Sequence, residues 1–259
     1  MGSAEIQGDL WGRKARDWAE LQEPHHLPLW EVMLEKGYVG AGTRILDAGC
    51  GGGGASILAA ERGAIVSGID AAAPLVEIAR GRVPNGDFRV GDIQDLPFED
   101  QVFDVVLAAN SLQYSQDRVA TLREMKRVSA DDGRVIVGLF STPDKVDWSK
   151  VIEAVGSTLP SPPNGRGPFE LAQPNVLEGL IQQAGMGVLG IGEVECPFDF
   201  PDFDTVWRVS VSGGPTQAAI EAVGEERIEL AVRDAMKPFQ AADGSFHMMN
   251  VFRYVVATL

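Results

Sequence analysis

The segment with the clearest chemical signature runs from Leu46 to Gly54 and reads LDAGCGGGG. Four consecutive glycines are costly in backbone entropy, so they indicate a turn that bends sharply and leaves room where no Cβ fits. The segment lies between a predicted strand at residues 44–47 and a predicted helix at residues 55–62. Open α/β sheets bind their ligands at the carboxyl ends of strands. The segment therefore predicts a site where a nucleotide-like ligand approaches the backbone closely.

Two ligand classes compete for this loop. Gly49, Gly51 and Gly54 satisfy the G-x-G-x-x-G spacing. Asp70 lies 21 residues after Gly49, as in folds that bind NAD. Asp47 precedes the first of these glycines, where its charge would repel a pyrophosphate and attract a ligand that carries an ammonium and a sulfonium. The charge favours S-adenosylmethionine, and the spacing keeps an NAD-dependent oxidoreductase open as the alternative.

Strands and helices alternate through the first half of the chain. Short apolar runs predict strands at residues 44–47, 64–70, 88–90, 103–109 and 134–140, separated by helical stretches. Parallel neighbours need long crossover connections, so this alternation predicts a doubly wound α/β fold with helices on both faces of a sheet. Further strands are predicted at residues 188–194 and 246–257, with an insertion between them at about residues 197–242.

The glycine segment resembles the D-x-G-x-G-x-G motif of class I S-adenosylmethionine-dependent methyltransferases, with Asp47, Gly49, Gly51 and Gly53 on its fixed positions. The similarity is strongest over about residues 40–140 and implies S-adenosylmethionine as cofactor. It also implies a Rossmann-like, mostly parallel sheet of seven strands in which the last strand is antiparallel.

The resemblance implies roles for single residues as well. Asp70 matches the acid that holds the ribose hydroxyls, and Asp92 with Ile93 matches the pair that contacts the adenine. Asn110 follows the fourth predicted strand, whose end lies beside the methionine moiety in the family. The predicted cofactor site comprises Trp11, Asp47, Gly49, Cys50, Gly51, Gly53, Asp70, Ala71, Asp92, Ile93 and Asn110. Cys50 is interpreted as a small packed residue and not as a nucleophile, because no histidine is near it in the sequence.

A family member of this kind would transfer the sulfonium methyl to a small-molecule acceptor by in-line displacement, with S-adenosylhomocysteine as product. Because the methyl carbon is already activated, the protein has to align the reactants, exclude water and, for some acceptors, supply a base. His25, His26 and Tyr114 are the candidates for that base. The acceptor and the methylated atom stay open, as does a protein that binds the cofactor without methyl transfer.

Residues 1–39 are predicted to form a helical lid over the methyltransferase domain at residues 40–259. Helices are predicted within it at residues 13–20 and 27–36. Trp11 and Trp18 are seven residues apart, which would place both on one helical face where they could shield the cofactor.

The insertion is predicted to contain two short helices and to cap the acceptor pocket. It carries four aromatic residues, Phe198, Phe200, Phe203 and Trp207, outside the predicted sheet strands. Methyl transfer has to exclude water, so an apolar cover is the function expected of such a cluster.

The composition is that of a globular protein with an acidic surface. The 259 residues contain 22 Lys and Arg against 37 Asp and Glu, a formal net charge of −15. Such a surface repels nucleic acid and anionic membranes, which argues against both as partners.

The two cysteines have no closely spaced Cys or His companions, so no metal site is predicted. No targeting or membrane-spanning pattern is recognisable, and we expect a cytoplasmic protein whose oligomeric state the sequence leaves open.

Overall fold

A computed structural model describes residues 3–160 and 167–259 and has a seven-stranded sheet at its centre. The strands in chain order are β1 (Arg44–Ala48), β2 (Ile65–Asp70), β3 (Asp87–Val90), β4 (Phe103–Ala109), β5 (Ser129–Phe140), β6 (Gly187–Glu195), β7 (Phe198–Phe200), β8 (Phe246–Met248) and β9 (Val251–Thr258). The central sheet has the order β3-β2-β1-β4-β5-β9-β6, and β7 pairs with β8 separately. Neighbours from β3 to β5 are parallel, whereas β9 is antiparallel to both β5 and β6. The predicted sheet with an antiparallel last strand is confirmed.

Helices cover both faces of this sheet. The α-helices within the described ranges are α1 (Ser3–Gly12), α2 (Ala15–Asp17), α3 (Leu27–Lys36), α4 (Gly54–Glu61), α5 (Ala73–Arg82), α6 (Arg118–Val128), α7 (Ser149–Ser157), α8 (Val176–Gln183), α9 (Phe203–Ser212), α10 (Gly214–Val223) and α11 (Glu225–Met236). None of these helices is long and apolar enough to cross a membrane.

Adjacent residues of the central strands enter two separate cores. In β5, Ile136 belongs to the core that contains Met33 of α3, whereas Val135 belongs to the core that contains Leu122 of α6. Successive side chains of a strand point to opposite faces, so a strand that is covered on both faces is apolar throughout. The doubly wound architecture predicted from the alternation of strands and helices is therefore confirmed.

The region after β6 differs from the prediction in two respects. The single strand expected at residues 246–257 is divided at Met249 and Asn250, so that β8 pairs with β7 while β9 joins the main sheet. Asn250 is fully buried, and its Oδ1 accepts a hydrogen bond from the Trp148 N–H at 2.9 Å. The insertion contains three α-helices instead of two, because Gly224, with φ of +89°, separates α10 from α11.

The N-terminal segment is less regular than predicted: the helical stretch expected at residues 13–20 begins at Ala15 and becomes π-helical at Trp18. After α1 and α2, a π-helical turn (Trp18–Gln22) and a 3-10 turn (Glu23–His26) lead into α3. Trp11 and Trp18 therefore do not share one face of a continuous helix. The bend between them still brings their rings together, with centroids 4.7 Å apart in an edge-to-face arrangement.

Two glycines allow α1 to pack closely on the rest of the molecule. Gly8 faces the backbone of Ala71, and a Cβ added at Gly8 would lie 2.3 Å from the Ala71 carbonyl oxygen. Gly214, at the start of α10, lies against the indole of Trp11, where an added Cβ would be 2.6 Å from Nε1. Helix α1 is thus held between the turn after β2 and the first residue of α10.

Replacing Gly8 by Val should detach α1 and leave the rest of the protein folded, because the new side chain collides with a backbone oxygen. We expect faster proteolytic cleavage within residues 3–17, detected by mass spectrometry, and a melting temperature lowered by only about 2–4 °C. Gly81→Ala is the control, since a Cβ at that helical position meets nothing within 4 Å. Equal protection of α1 in Gly8→Val and in the wild type would contradict this packing.

Candidate functional site

The carboxyl ends of β1, β2 and β4 open into a cavity at the point where the strand order reverses. The chain proceeds from β1 to β2 and β3 on one side, and β4 and β5 lie on the other. Ligands of open α/β sheets bind at such a switch point. The cavity has a volume of about 940 Å³ including its solvent-open part.

The structure brings ten of the eleven predicted cofactor residues to this cavity. They are Trp11, Asp47, Gly49, Cys50, Gly51, Asp70, Ala71, Asp92, Ile93 and Asn110. Gly53 is not among the described lining residues: it precedes α4 with φ of +85° and packs against Ala79 of α5. Gly53 therefore turns the chain into the helix from behind the cavity.

Left-handed backbone conformations shape the glycine loop. Gly49 and Gly51 have φ of +85° and +55°, a region that favours glycine. The N–H groups of Gly49 and Cys50 donate to the Ile69 carbonyl at 2.8 and 3.0 Å. These bonds tie the loop to the end of β2.

The other two glycines make room for protein side chains. A Cβ at Gly52 would lie 2.8 Å from the Cβ of Ala19, and one at Gly54 would lie 2.2 Å from the ring of Trp30. The sequence-based interpretation attributed the whole glycine run to a ligand. Half of it instead accommodates the N-terminal segment.

Asp70, at the end of β2, holds the loop with both carboxylate oxygens. Its Oδ2 accepts from the Gly51 N–H at 2.9 Å, and its Oδ1 accepts from the Ala72 N–H at 2.8 Å. Burial raises the pKa of Asp70. Each carboxylate oxygen accepts more than one hydrogen bond, so Asp70 keeps acceptor capacity toward the cavity.

Two further acids are buried beside the loop. Asp47 is 3% exposed and accepts a hydrogen bond from the Ser56 hydroxyl at 2.8 Å. Burial raises the pKa of Asp47 to about 6. Glu23 is also 3% exposed, and burial raises its pKa to about 7 although the nearby Arg82 guanidinium opposes the shift.

Asp92 and Asn110 follow β3 and β4. The Gln94 N–H donates to Asp92 Oδ1 at 2.9 Å, which fixes the turn that presents Ile93. Asn110 has φ of +55°, an uncommon conformation for a residue other than glycine. Its Oδ1 is buried and accepts no hydrogen bond within the described part of the chain. A buried acceptor of this kind is normally satisfied by a donor, such as one on a ligand.

Of the three candidate bases, His26 and Tyr114 line the cavity, whereas His25 is not among the described lining residues. The His25 ring lies instead 4.7 Å from Phe198 and 5.0 Å from Phe200 between centroids. Burial lowers the pKa of His26 to about 3 and raises the pKa of Tyr114 to about 12. Both side chains are therefore neutral at pH 7, so His26 is a weak base and Tyr114 is not a phenolate.

An aromatic wall faces the strand ends across the cavity. Its members are Tyr114, Trp11, Trp18, His26 and Trp30, whose consecutive ring centroids are 5.3, 4.7, 5.9 and 5.7 Å apart. The sequence analysis missed Trp30 and Glu23 as lining residues. Glu23 has no periodic signal because it lies in the irregular turns before α3, whereas Trp30 lies within α3 itself.

The predicted cap over the acceptor pocket stays a prediction, because the aromatic residues of the insertion are not among the described residues that line this cavity. Phe198, Phe200, Phe203 and Trp207 are all absent from the described lining of the cavity, and Phe198 and Phe200 are core residues. The insertion instead supports the N-terminal segment from behind: α10 packs on α1, and Arg208 of α9 pairs with Asp17 at 2.6 Å.

Neither the cysteines nor the acids form an evident metal site. Within residues 3–160 and 167–259, no three His, Cys, Asp or Glu side chains are grouped to hold a metal ion. Cys50 lines the cavity, but burial raises the pKa of its thiol well above the usual range. A raised pKa keeps a thiol protonated and lowers its nucleophilicity, and the interpretation of Cys50 as a packed residue stays a prediction.

Residues 46–137 match a protein family described as a methyltransferase domain. An uncharacterized protein of Mycobacterium tuberculosis (strain ATCC 25618 / H37Rv) is 26% identical over 227 residues, which are 84% of this chain and 81% of that protein. The malonyl-[acyl-carrier protein] O-methyltransferase of Serratia marcescens is 35% identical over 112 residues, 43% of each chain. A crystal structure of a SAM-dependent methyltransferase from Thermotoga maritima shares the fold, with a TM-score of 0.57 and 16% identity over 96% of this chain and 98% of that one.

Asp47→Asn should make the protein more stable at high pH. The folded-state pKa of Asp47 is raised from 3.8 to about 6, so its stabilising contribution is complete below pH 4 and is lost as the pH rises through about 6. Asn keeps an acceptor for Ser56 and cannot ionise. The free energy of unfolding of the variant, measured by chemical denaturation, should therefore exceed that of the wild type by about 3 kcal/mol at pH 8. The two values should be equal near pH 4.

Asp104→Asn is the control with the opposite sign, because hydrogen bonds from Arg44 lower the pKa of Asp104. Its effect at pH 8 should be destabilising. An Asp47→Asn effect that is the same at both pH values would show that the buried carboxyl does not change its charge in this range.

Proposed function

Because this chain belongs to the class I S-adenosylmethionine-dependent methyltransferases through the domain at residues 46–137, we propose that it binds S-adenosylmethionine in this cavity and methylates a small-molecule acceptor. The observation that carries the proposal is the charge of the cavity. Four acidic residues line it, Glu23, Asp47, Asp70 and Asp92, and no Lys or Arg is among the described lining residues. A pyrophosphate is repelled by such a site, whereas a ligand with an ammonium and a sulfonium is attracted. The charge therefore favours this cofactor over NAD.

The residues present fit the parts of this cofactor. Asp70 has the acceptor capacity for two ribose hydroxyls, and Asp92 can accept from the adenine amine while Ile93 packs on the ring. Asn110 offers its unpaired buried oxygen to the ammonium of the methionine moiety. When bound, the cofactor supplies a methyl group activated by the sulfonium, so the chain needs to provide binding, alignment and exclusion of water.

The aromatic wall and its neutral polar groups suit that task. Ring faces exclude water and attract positive charge, which supports a sulfonium beside them. His26 can accept a hydrogen bond from the acceptor, and Tyr114 can donate one. Because His26 is a weak base, the site favours an acceptor whose nucleophilic atom needs no strong base. Helix α1 and the wall enclose the cavity, which favours a small molecule over a macromolecular surface.

Calorimetric titration tests the assignment. S-adenosylmethionine and S-adenosylhomocysteine should both bind, and Asp70→Ala should weaken both at least tenfold, because it removes charge-assisted hydrogen bonds worth about 1.5–3 kcal/mol. Asp87→Ala is the control, since that acid is exposed and pairs with Arg89. Unchanged affinity in Asp70→Ala, or tighter binding of NAD than of S-adenosylmethionine, would reject the proposal.

Turnover should be independent of metal ions, since displacement at an activated methyl carbon needs no Lewis acid. The measurement is transfer of labelled methyl from S-adenosylmethionine to a panel of amines, phenols and thiols, with and without EDTA. We expect the same rate in both conditions. A rate abolished by EDTA and restored by magnesium would point to a site assembled from distant acids, and binding without any transfer would indicate a cofactor-binding protein.

A further inference from the structure

Glu23 connects the N-terminal segment to the glycine loop through both of its carboxylate oxygens. Its Oε1 accepts from the Gly52 N–H at 2.6 Å, and its Oε2 accepts from Arg82 Nη1 at 2.6 Å. The side chain is 4% exposed and also lines the cavity. A residue that both binds the loop and faces the cavity can affect a ligand in two ways, by geometry and by charge.

Arg82, at the end of α5, completes this arrangement. Its Nη1 also donates to the Gly52 carbonyl at 3.0 Å, and its Nη2 donates to the Ala19 carbonyl at 2.8 Å. The peptide group on each side of Gly52 is therefore held by the Glu23–Arg82 pair. Charge-assisted hydrogen bonds of this kind are about twice as strong as neutral ones, so the pair restricts the loop strongly.

The charges around Glu23 are unbalanced. Arg82 of α5 is the cation that faces Glu23. Asp47 of β1 and the Cys50 thiol are the acidic groups near Glu23, and His26, in the same 3-10 turn as Glu23, is neutral. Arg82 is thus the cation paired with Glu23, and a positive charge on a ligand in the cavity would further stabilise the ionised forms of Glu23 and Asp47.

We propose that Glu23 is a positioning residue that fixes the Gly52 peptide through Arg82. Its negative charge makes the site prefer S-adenosylmethionine, which carries a sulfonium, over the product S-adenosylhomocysteine, whose thioether sulfur is uncharged. This inference rests on the proposed function. The N-terminal segment then has a direct part in cofactor recognition. Product release also has a physical reason, because the positive charge of the sulfonium, which Glu23 attracts, is lost when the methyl group is transferred.

The preference should depend on pH. With a pKa of about 7 in the ligand-free protein, Glu23 is ionised in about half of the molecules at pH 7. A sulfonium favours the ionised form, so the affinity for S-adenosylmethionine should fall as the pH drops from 8 to 6, with release of protons on binding. S-adenosylhomocysteine lacks the sulfonium and should show a smaller change.

The test is calorimetry with S-adenosylmethionine and S-adenosylhomocysteine at pH 6, 7 and 8 on the full chain. The wild type should bind S-adenosylmethionine about tenfold more tightly at pH 8 than at pH 6, and Glu23→Gln should remove most of that difference and lower the preference over the thioether severalfold. Glu20→Gln is the matched control, an exposed acid three residues away in the preceding turn. The amino group of the ligand titrates in the same range in every variant, so the comparison between variants is the readout.

Arg82→Met provides a second variant in case Glu23→Gln does not fold. Removal of the guanidinium should raise the pKa of Glu23 further, since Arg82 lowers it. The midpoint of the affinity profile should therefore move to higher pH, whereas loss of a merely structural clamp would weaken binding equally at each pH.

The outcomes separate this inference from the proposed function. The role of Glu23 would be overturned if Glu23→Gln kept the wild-type affinities and pH profile, or if it lost affinity for both ligands equally at every pH. The methyltransferase assignment would stand in either case. Failure of the wild type to bind S-adenosylmethionine at any of these pH values would instead contradict the proposed function.

Discussion

The side chains of Ala19 and Trp30 occupy the space that Cβ atoms on the glycine loop would need, and this contact positions the whole cavity. Residues that lie before the first strand are therefore part of the loop's structure and not only a cover for it. The π-helical turn carries Ala19, the 3-10 turn carries Glu23 and α3 carries Trp30, and all three side chains meet the same loop. Irregular turns of this type often mark functional segments, because they direct side chains that a regular helix would spread around its circumference.

The N-terminal segment consists of two parts that differ in how firmly they are attached to the rest of the protein. The turns at residues 18–26 are tied to the loop by buried hydrogen bonds, so they open only with loss of the loop geometry. Helix α1 is attached by close packing at Gly8 and by the contact of Trp11 with Gly214. Packing of a single short helix is the weaker attachment, so any lid motion belongs to α1.

The buried acids show how the site differs from an ordinary core. Burial raises the pKa of Asp47, Asp70 and Glu23, which means that their ionised forms oppose folding. An apolar side chain would avoid this cost of ionisation, but it would leave the loop N–H groups and Arg82 without their acceptors. The site retains this unfavourable charge where a positively charged ligand can offset it, as binding sites commonly do.

Sequence patterns predict the sheet and the strand-end residues well, because both follow local rules. Apolar runs mark strands, and Asp47, Asp70 and Asp92 each follow or end such a run, so their meeting at one edge follows from the parallel topology. Glu23 has no comparable signal, since its position depends on turns that lack hydrophobic periodicity, and Trp30 in a predicted helix resembles an ordinary core residue. His25 and His26 are neighbours in sequence but face different surroundings for the same reason. The insertion aromatics are predicted to cover the acceptor pocket because of their position outside the strands, whereas Phe198 and Phe200 are buried in the core.

The attachment of α1 has a consequence for the order in which the protein assembles during synthesis. Residues 3–12 are translated before their packing partners, Ala71 and Gly214, which follow much later in the chain. A ten-residue helix is marginally stable in water on its own. The glycine loop and the first strands can form while α1 still lacks its second partner, and the helix can dock fully only after α10 has been translated. Helix α1 is thus translated before β1 but docks fully only after α10, and the site acquires its complete aromatic wall only at that stage.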